Sequence, residues 1–168
     1  MTTTSPTPGQ PTAKIVQLSL PTVPKADKSR AETKYGAAVM KIGYTVLPSL
    51  LLRGQAKLEL SSIQMNVLIQ LIEHWWVADK NPHPAKETIA RRMQKSPRQI
   101  QRILTQLEQS GFIVRCERFN GLKSQTSNEY DLTGLVRKLK AIEPDFKKEA
   151  EQKRIRQKKV EAPKTGVR

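Results

Sequence analysis

The clearest pattern in the chain is a set of apolar residues spaced three and four positions apart, starting just after Ser61. Ser61 with Gln64 three residues later is the capping-box pattern that begins a helix. The pattern predicts an amphipathic helix that ends near Val77, before the loop that Pro82 and Pro84 enforce. Its apolar positions are Ile63, Val67, Leu68, Leu71, Ile72 and Trp75.

Two more helices are predicted directly after this loop, with a tight turn between them. The first extends from about Ala85 to Met93, and Gln94 lies in the turn. The second begins at Ser96, an N-cap residue, with Pro97 at the first helical position. Gly111 is expected to end this helix. Its single apolar face consists of Ile100, Ile103, Leu104 and Leu107.

Two short apolar stretches after the third helix predict a β-hairpin. They cover residues 112–119 and 128–132, and a polar loop starting at Asn120 and Gly121 separates them. Cys116 in the first stretch is expected to be a small buried residue. A last ordered helix is predicted from Leu135 to about Ile142, where Pro144 interrupts it.

The order helix, helix, tight turn, helix, strand, loop, strand is the winged helix-turn-helix arrangement. The fold class is therefore mainly α with a small β-hairpin. We expect a disordered tail over residues 1–40, rich in Thr, Pro and Ser, a winged helix-turn-helix domain over 41–142, and a basic charged extension over 143–168.

Charge identifies the class of partner. The 168 residues include 30 Lys and Arg against 15 Asp and Glu, a net charge of +15. Residues 41–140 hold 16 of the basic and 8 of the acidic residues, so the excess belongs to the fold and not only to its tails. Such a charge attracts polyanions, nucleic acid first.

Other classes of protein fit the composition poorly. One cysteine allows no internal disulfide and no cysteine zinc site. The apolar runs are far shorter than the roughly 20 residues that span a bilayer, and the N-terminus has no signal-peptide pattern. We expect a cytoplasmic, nucleoid-associated protein with no membrane partner, no metal and no cofactor. No catalytic constellation is evident, so we expect that it is not an enzyme.

Three segments resemble a bacterial winged helix-turn-helix family. They are PAKETIARRMQKSPRQIQR at residues 84–102, LEQSGFI at 107–113 and SNEYDL at 127–132. The resemblance covers roughly residues 42–140, and members of that family are DNA-binding transcription regulators or replication proteins of phages and plasmids. This chain departs from the family pattern at Ala85, where a capping serine is usual, and at Gln94, where glycine is usual.

The resemblance and the helix pattern together predict the DNA contacts. In helix-turn-helix proteins the second helix of the motif lies in the major groove, and arginine and glutamine side chains suit base edges there. Residues Arg115, Arg118 and Lys123 are wing candidates, although a plain solvated hairpin explains them too. Gln99 is either a base reader or a partner in the capping box. The predicted helix contacts are Arg91, Arg92, Lys95, Ser96, Arg98, Gln99, Gln101, Arg102, Thr105 and Gln106.

These observations favour sequence-specific binding of double-stranded DNA by a prokaryotic transcription regulator. A replication-initiation protein of a plasmid, phage or mobile element that binds its origin is the nearest alternative. A non-specific nucleic-acid-binding or assembly protein is the other. The apolar face of the last helix leaves a homodimer open, because the same face can cover either the core or a second copy.

Overall fold

The computed structural model describes residues 25–119 and 126–161, and it divides the chain into two compact units, Met1–Gly43 and Tyr44–Arg168. In the first unit, helix α1 covers Lys25–Tyr35 and helix α2 covers Ala37–Ile42. The structure differs here from the predicted disordered tail, because the lysine, alanine and glutamate residues of α1 are strong helix formers. The rest of that predicted tail, residues 1–24, lies outside the described residues.

The second unit has the element order that the pattern of apolar residues predicts. Its helices and strands are α3 (Ser49–Arg53), α4 (Ser62–Glu73), α5 (Lys86–Met93), α6 (Pro97–Gln109), β1 (Val114–Cys116), β2 (Glu129–Asp131) and α7 (Thr133–Glu161). Helices α4 to α6 followed by the β-hairpin form a winged helix-turn-helix domain. The predicted fold class is confirmed.

Capping boxes begin the two helices for which the sequence predicts them. At α4 the Gln64 N–H donates to Ser61 Oγ at 3.3 Å, and the Ser61 N–H donates to Gln64 Oε1 at 2.9 Å. Helix α4 ends at Glu73, earlier than the predicted Val77, because the His74 and Trp75 N–H groups close a tight last turn on the carbonyls of Leu71 and Ile72.

The turn between α5 and α6 adopts the backbone that its family position requires. Gln94 has φ 51° and ψ 46°, the left-handed region, and the Lys95 N–H donates to the Ala90 carbonyl at 2.9 Å. At the other end of α5, Ala85 is the N-cap residue and provides no side-chain cap. Both departures from the family pattern are therefore accommodated without a change in the motif.

The hydrophobic core lies where α4, α5 and α6 meet the hairpin and the first turns of α7. Helix α6 contacts both α4 and α5, and α3 contacts α7. Trp75 is partly buried against this core, as predicted, whereas Ile63 is 40% exposed because it lies in the first turn of α4. The fully buried side chains include Leu51, Leu68, Leu71, Ile89, Ile100, Leu104, Leu107, Ile113, Leu132 and Leu135.

The hairpin is antiparallel, and both of its strands are shorter than the sequence predicts. Its register pairs Val114 with Asp131, Arg115 with Tyr130 and Cys116 with Glu129. The expectation that Cys116 is buried is wrong, because Tyr130 fills the inner face while Val114 and Cys116 point outward. This alternation follows from the two-residue period of a strand.

Helix α7 continues through Pro144, where the sequence predicts an interruption. Proline removes one hydrogen-bond donor from the helix, and contacts with the loop after α3 support the turns that follow. Lys57 Nζ lies 3.4 Å from Asp145 Oδ2, 3.2 Å from Glu149 Oε1 and 4.9 Å from the centre of the Phe146 ring. Both carboxylates raise the pKa of Lys57.

Within residues 25–119 and 126–161, no helix has both the length and the apolar character needed to cross a membrane.

Candidate nucleic-acid interface

The packing of α6 determines which of its side chains face outward. Four apolar residues on one side are buried, at Ile100, Ile103, Leu104 and Leu107. On the opposite side Lys95, Arg98 and Arg102 are exposed, and Gln99 and Gln106 are exposed beside them. Gln101 and Thr105 are half-buried at the edge of this surface. The outward residues that the periodicity predicts are therefore brought together, and we call them the α6 face.

The basic residues of the α6 face lack ion-pair partners among the described residues. Arg98 and Arg102, together with Lys95 before the helix and Arg91 on α5, form no ion pair with any residue in the described part of the chain. The interval from 88 to 107 includes no acidic residue at all. Binding to phosphate requires this kind of unopposed positive charge.

Arg92, a predicted contact, instead joins α5 to α4. Its Nη1 atom donates to Glu73 Oε2 at 2.8 Å and to Gln70 Oε1 at 3.2 Å. The ion pair lies at the surface, where it contributes modestly to stability. Arg92 therefore forms a contact between helices and is not one of the unpaired cations.

The wing candidates are also engaged within the fold. The Arg115 guanidinium is ion-paired with Glu108 of α6, and the Arg115 N–H donates to Glu108 Oε1 at 3.0 Å. This pairing lowers the pKa of Glu108. Arg118 Nε lies 3.7 Å from Glu129 Oε1 across the hairpin. Lys123, the third wing candidate, lies outside the described residues.

Two polar residues of the predicted set have roles in shaping α6. Gln99 Oε1 accepts from the Ser96 N–H at 3.0 Å, while Ser96 Oγ accepts from the Gln99 N–H at 3.2 Å. Both residues form the capping box, so only the amide nitrogen of Gln99 remains for another molecule. Thr105 Oγ1 donates to the Gln101 carbonyl at 3.1 Å, a bond inside the helix.

Grooves flank the α6 face on both sides. The groove toward α4, of about 430 Å³, has Ser61, Ser62 and Ile63 on one wall and Lys95, Gln99 and Arg102 among the residues of the other. The groove toward the wing, of about 560 Å³, lies between the start of α5 and the segment leading into β2, and Gln101 of α6 borders it. Residues of the α6 face thus line the groove toward α4, and Gln101 lines the groove toward the wing.

The grooves include residues that were not among the predicted DNA contacts. Ser62 and Ile63 are at the start of α4, and Lys86, Asn128 and Tyr130 line the groove toward the wing. For Asn128 and Tyr130 the sequence gives one indication of a functional role, because both belong to the SNEYDL segment that resembles the family pattern. Their position beside α5 depends on the tertiary fold.

The other polar side chains of the described residues do not form a metal centre. Among residues 25–119 and 126–161, no group of three or more His, Cys, Asp or Glu side chains is placed to bind a metal ion. His74 Nε2 lies 3.0 Å from Glu73 Oε2 and 3.4 Å from Arg92 Nη1. It belongs to the polar contact between α4 and α5.

The helix-turn-helix geometry agrees with comparisons to known proteins. Residues 58–113 match the model of a family described as helix-turn-helix domain, a match that includes α4, α5 and α6. The predicted resemblance is confirmed over these residues, which form a helix-turn-helix domain. No curated protein matches the chain.

A solved structure is similar to this one. It is the crystal structure of the N-terminal domain of DnaD protein from Geobacillus kaustophilus HTA426, with 22% sequence identity and a TM-score of 0.48. The similarity covers 72% of this chain and 96% of the DnaD domain.

Proposed function

We propose that this protein binds double-stranded DNA sequence-specifically, with α6 in the major groove, and that it acts as a transcription regulator and not as an enzyme. One observation carries the proposal. The α6 face presents Arg98 and Arg102 with no carboxylate partner in the described residues, although Arg92, Arg115 and Arg118 nearby are paired. Unpaired arginines on an exposed helix are available to hydrogen-bond base edges.

The side chains of the α6 face suit different parts of a DNA duplex. Arg98 is in the first turn of α6, the part of a recognition helix that approaches base edges, and Arg102 is one turn later. Both can pair bidentately with guanine, and Gln101 can do the same with adenine. Lys95 and Arg91, outside α6 itself, can bind backbone phosphates through their charge.

The first experiment selects bound duplexes from a random-sequence pool. We expect the wild-type protein to enrich a defined motif, and we expect Arg98→Ala/Arg102→Ala to enrich none because the base contacts are lost. The matched control is Arg137→Ala/Lys140→Ala, which removes the same charge from exposed positions on α7. The control variant should enrich the wild-type motif.

The regulatory part of the proposal has a separate test. The selected motif should lie at promoters, and a reporter gene behind such a promoter should change its expression when the protein is produced. Bound sites confined to a replication origin, with no effect on the reporter, would contradict regulation while leaving DNA binding intact. Enrichment by the double α6 variant equal to that of wild type would contradict readout by α6.

A further inference from the structure

We propose that the last turns of α7 form a basic arm that binds the phosphate backbone of duplex DNA without reading its sequence. The basic arm is residues 150–158, the part of α7 that follows Glu149. It is separate from the α6 face, so it adds a second contact to the proposed function and does not depend on base readout. Its cations are Lys153, Arg154, Arg156 and Lys158.

The charges of α7 are divided between two parts of the helix. Residues 143–151 include four acidic residues and two basic ones, whereas residues 152–160 include five basic residues and no acidic one. In the first part Lys147 Nζ lies 2.7 Å from Glu143 Oε1, the i,i+4 arrangement that supports an exposed helix. A helix that is merely solvated alternates its charges in this way. The alternation in α7 ends at Glu151.

Most cations of the basic arm have no ion-pair partner in the described part of the chain. Arg154 Nη1 lies 3.9 Å from Glu151 Oε2, a long contact between exposed side chains. Lys153, Arg156 and Lys158 form no ion pair with any described residue. Lys153 and Arg156 are three positions apart, and Arg154 and Lys158 are four apart, so like charges are neighbours on the helix surface. Such pairs destabilise a helix, and a polyanion along the arm offsets their repulsion.

The helix dipole accounts for only part of this charge. Cations in the last turn of a helix are favoured by its free carbonyl groups, and the effect falls off within that turn. Helix α7 ends at Glu161, so Lys158 lies in the last turn. Lys153, Arg154 and Arg156 lie five to eight positions before this end. A different partner is therefore needed for three of the four cations.

The basic arm is anchored at its start and exposed along its length. Lys57 Nζ lies 3.2 Å from Glu149 Oε1, and every residue from 150 to 158 is exposed. At 1.5 Å per residue, the arm extends about 14 Å beyond this anchor. Ser61, four residues after Lys57, borders the groove toward α4, and four residues span at most about 14 Å. The arm therefore begins near a groove that residues of the α6 face also line.

Duplex DNA suits the basic arm better than a lipid surface does. A helix that lies on a membrane buries an apolar face, and Ile155 is the single large apolar residue of the arm. The four cations lie within about 8 Å along the helix axis. Duplex DNA carries one charge per roughly 1.7 Å of its axis, or about four phosphates over the same length. The charge density of the arm thus matches that of the DNA backbone.

The test measures the affinity of the full chain for the selected duplex and for two unrelated duplexes as a function of salt concentration. Replacing the four arm cations by glutamine should weaken binding to all three equally, by about 10- to 100-fold, and reduce the slope of log K against log salt by about 2–4. Glutamine keeps the helix propensity, so circular dichroism should show an unchanged helix content. The motif enriched from the random-sequence pool should stay that of the wild type. The variant is Lys153→Gln/Arg154→Gln/Arg156→Gln/Lys158→Gln.

Two matched controls separate the position of the charge from its amount. The first exchanges lysine and arginine within the basic arm, and because it keeps every charge it should retain the wild-type slope. The second removes four exposed cations elsewhere in the second unit, and its slope should stay near that of the wild type. The control variants are Lys153→Arg/Arg154→Lys/Arg156→Lys/Lys158→Arg and Arg53→Gln/Lys80→Gln/Arg137→Gln/Lys140→Gln.

An unchanged slope in the glutamine variant of the arm, or an equal reduction in the second control, would overturn the basic arm. Weakened binding of duplex RNA or of phosphatidylserine vesicles, with DNA binding unchanged, would overturn DNA as its ligand. A reduced slope in a protein that enriches no motif would retain the arm and reject the proposed function. Loss of the motif by Arg98→Ala/Arg102→Ala, with no effect of the arm variant, would retain the proposed function and reject the arm.

Discussion

At the scale of single residues, the presence of a nearby carboxylate divides the arginines into two groups. Arg92, Arg115 and Arg118 each face an acidic side chain, whereas Arg98 and Arg102 face none in the described residues. A sequence shows how many cations a segment has, but Arg92 and Arg115 meet their acidic partners only when the chain folds. The outward position of Arg98 was predictable from the helical period, and the pairing of Arg115 with Glu108 was not.

The Arg115–Glu108 pair predicts how stability depends on pH. The pKa of Glu108 is lower in the folded protein than in the unfolded chain, so its stabilising contribution is present above the unfolded value and is lost as pH falls through the folded pKa. We expect the wild-type melting temperature to fall more steeply than that of Glu108→Gln as pH decreases below about 4.5. Melting curves recorded at a series of pH values test this, and parallel curves for the two proteins would contradict it.

Gln94 carries a backbone cost that glycine would avoid. Its φ of 51° lies in the left-handed region, which disfavours a side chain by roughly 1 kcal/mol. Gln94→Gly should therefore increase the free energy of unfolding by about 0.5–1 kcal/mol. The matched control, Gln94→Ala, keeps a Cβ atom and should give no such gain. Chemical denaturation measures both variants, and equal stability of the two would show that the backbone conformation is not the cause.

At the scale of helices and strands, the predictions that agree with the structure are mostly those that depend on residues within a single helix. The capping boxes at Ser61 and Ser96 and the apolar periodicity of α6 are encoded within one helix, and the structure has them as predicted. Pro144 gives an equally local signal, yet α7 continues through it, and Lys57 from a distant part of the chain contacts Asp145 and Glu149 in the turns that follow. The residues around Pro144 give no sign of this contact, so the sequence pattern could not predict it.

The start of α7 depends on a close approach to the end of α6. A Cβ atom at Gly134 would contact the Gly111 carbonyl oxygen and would lie 3.0 Å from the Phe112 carbonyl oxygen. Helix propensity alone predicts that Gly134→Ala stabilises the protein, by about 1 kcal/mol. The contact with backbone predicts the opposite sign, a loss of about 1–3 kcal/mol. The free energy of unfolding of this variant decides, and a gain in stability would contradict the close approach.

At the scale of the whole molecule, the excess of positive charge has a location that composition cannot give. A net charge of +15 indicates a polyanionic partner, and the fold concentrates unpaired cations at the α6 face between two grooves. The groove toward the wing joins Lys86 to Tyr130, residues 44 positions apart in the sequence. The α6 face was therefore predictable from the helical period, whereas the groove required the hairpin to be placed against α5.

The most direct test of the central claim is the affinity of Arg98→Ala and Arg102→Ala for the selected duplex and for each of its single base-pair substitutions, at constant salt. Readout by α6 predicts that each variant loses about 1–3 kcal/mol on the selected duplex and becomes indifferent to the identity of one or two base pairs. Uniform weakening across every duplex, matching that of Arg137→Ala/Lys140→Ala, would contradict sequence recognition by α6.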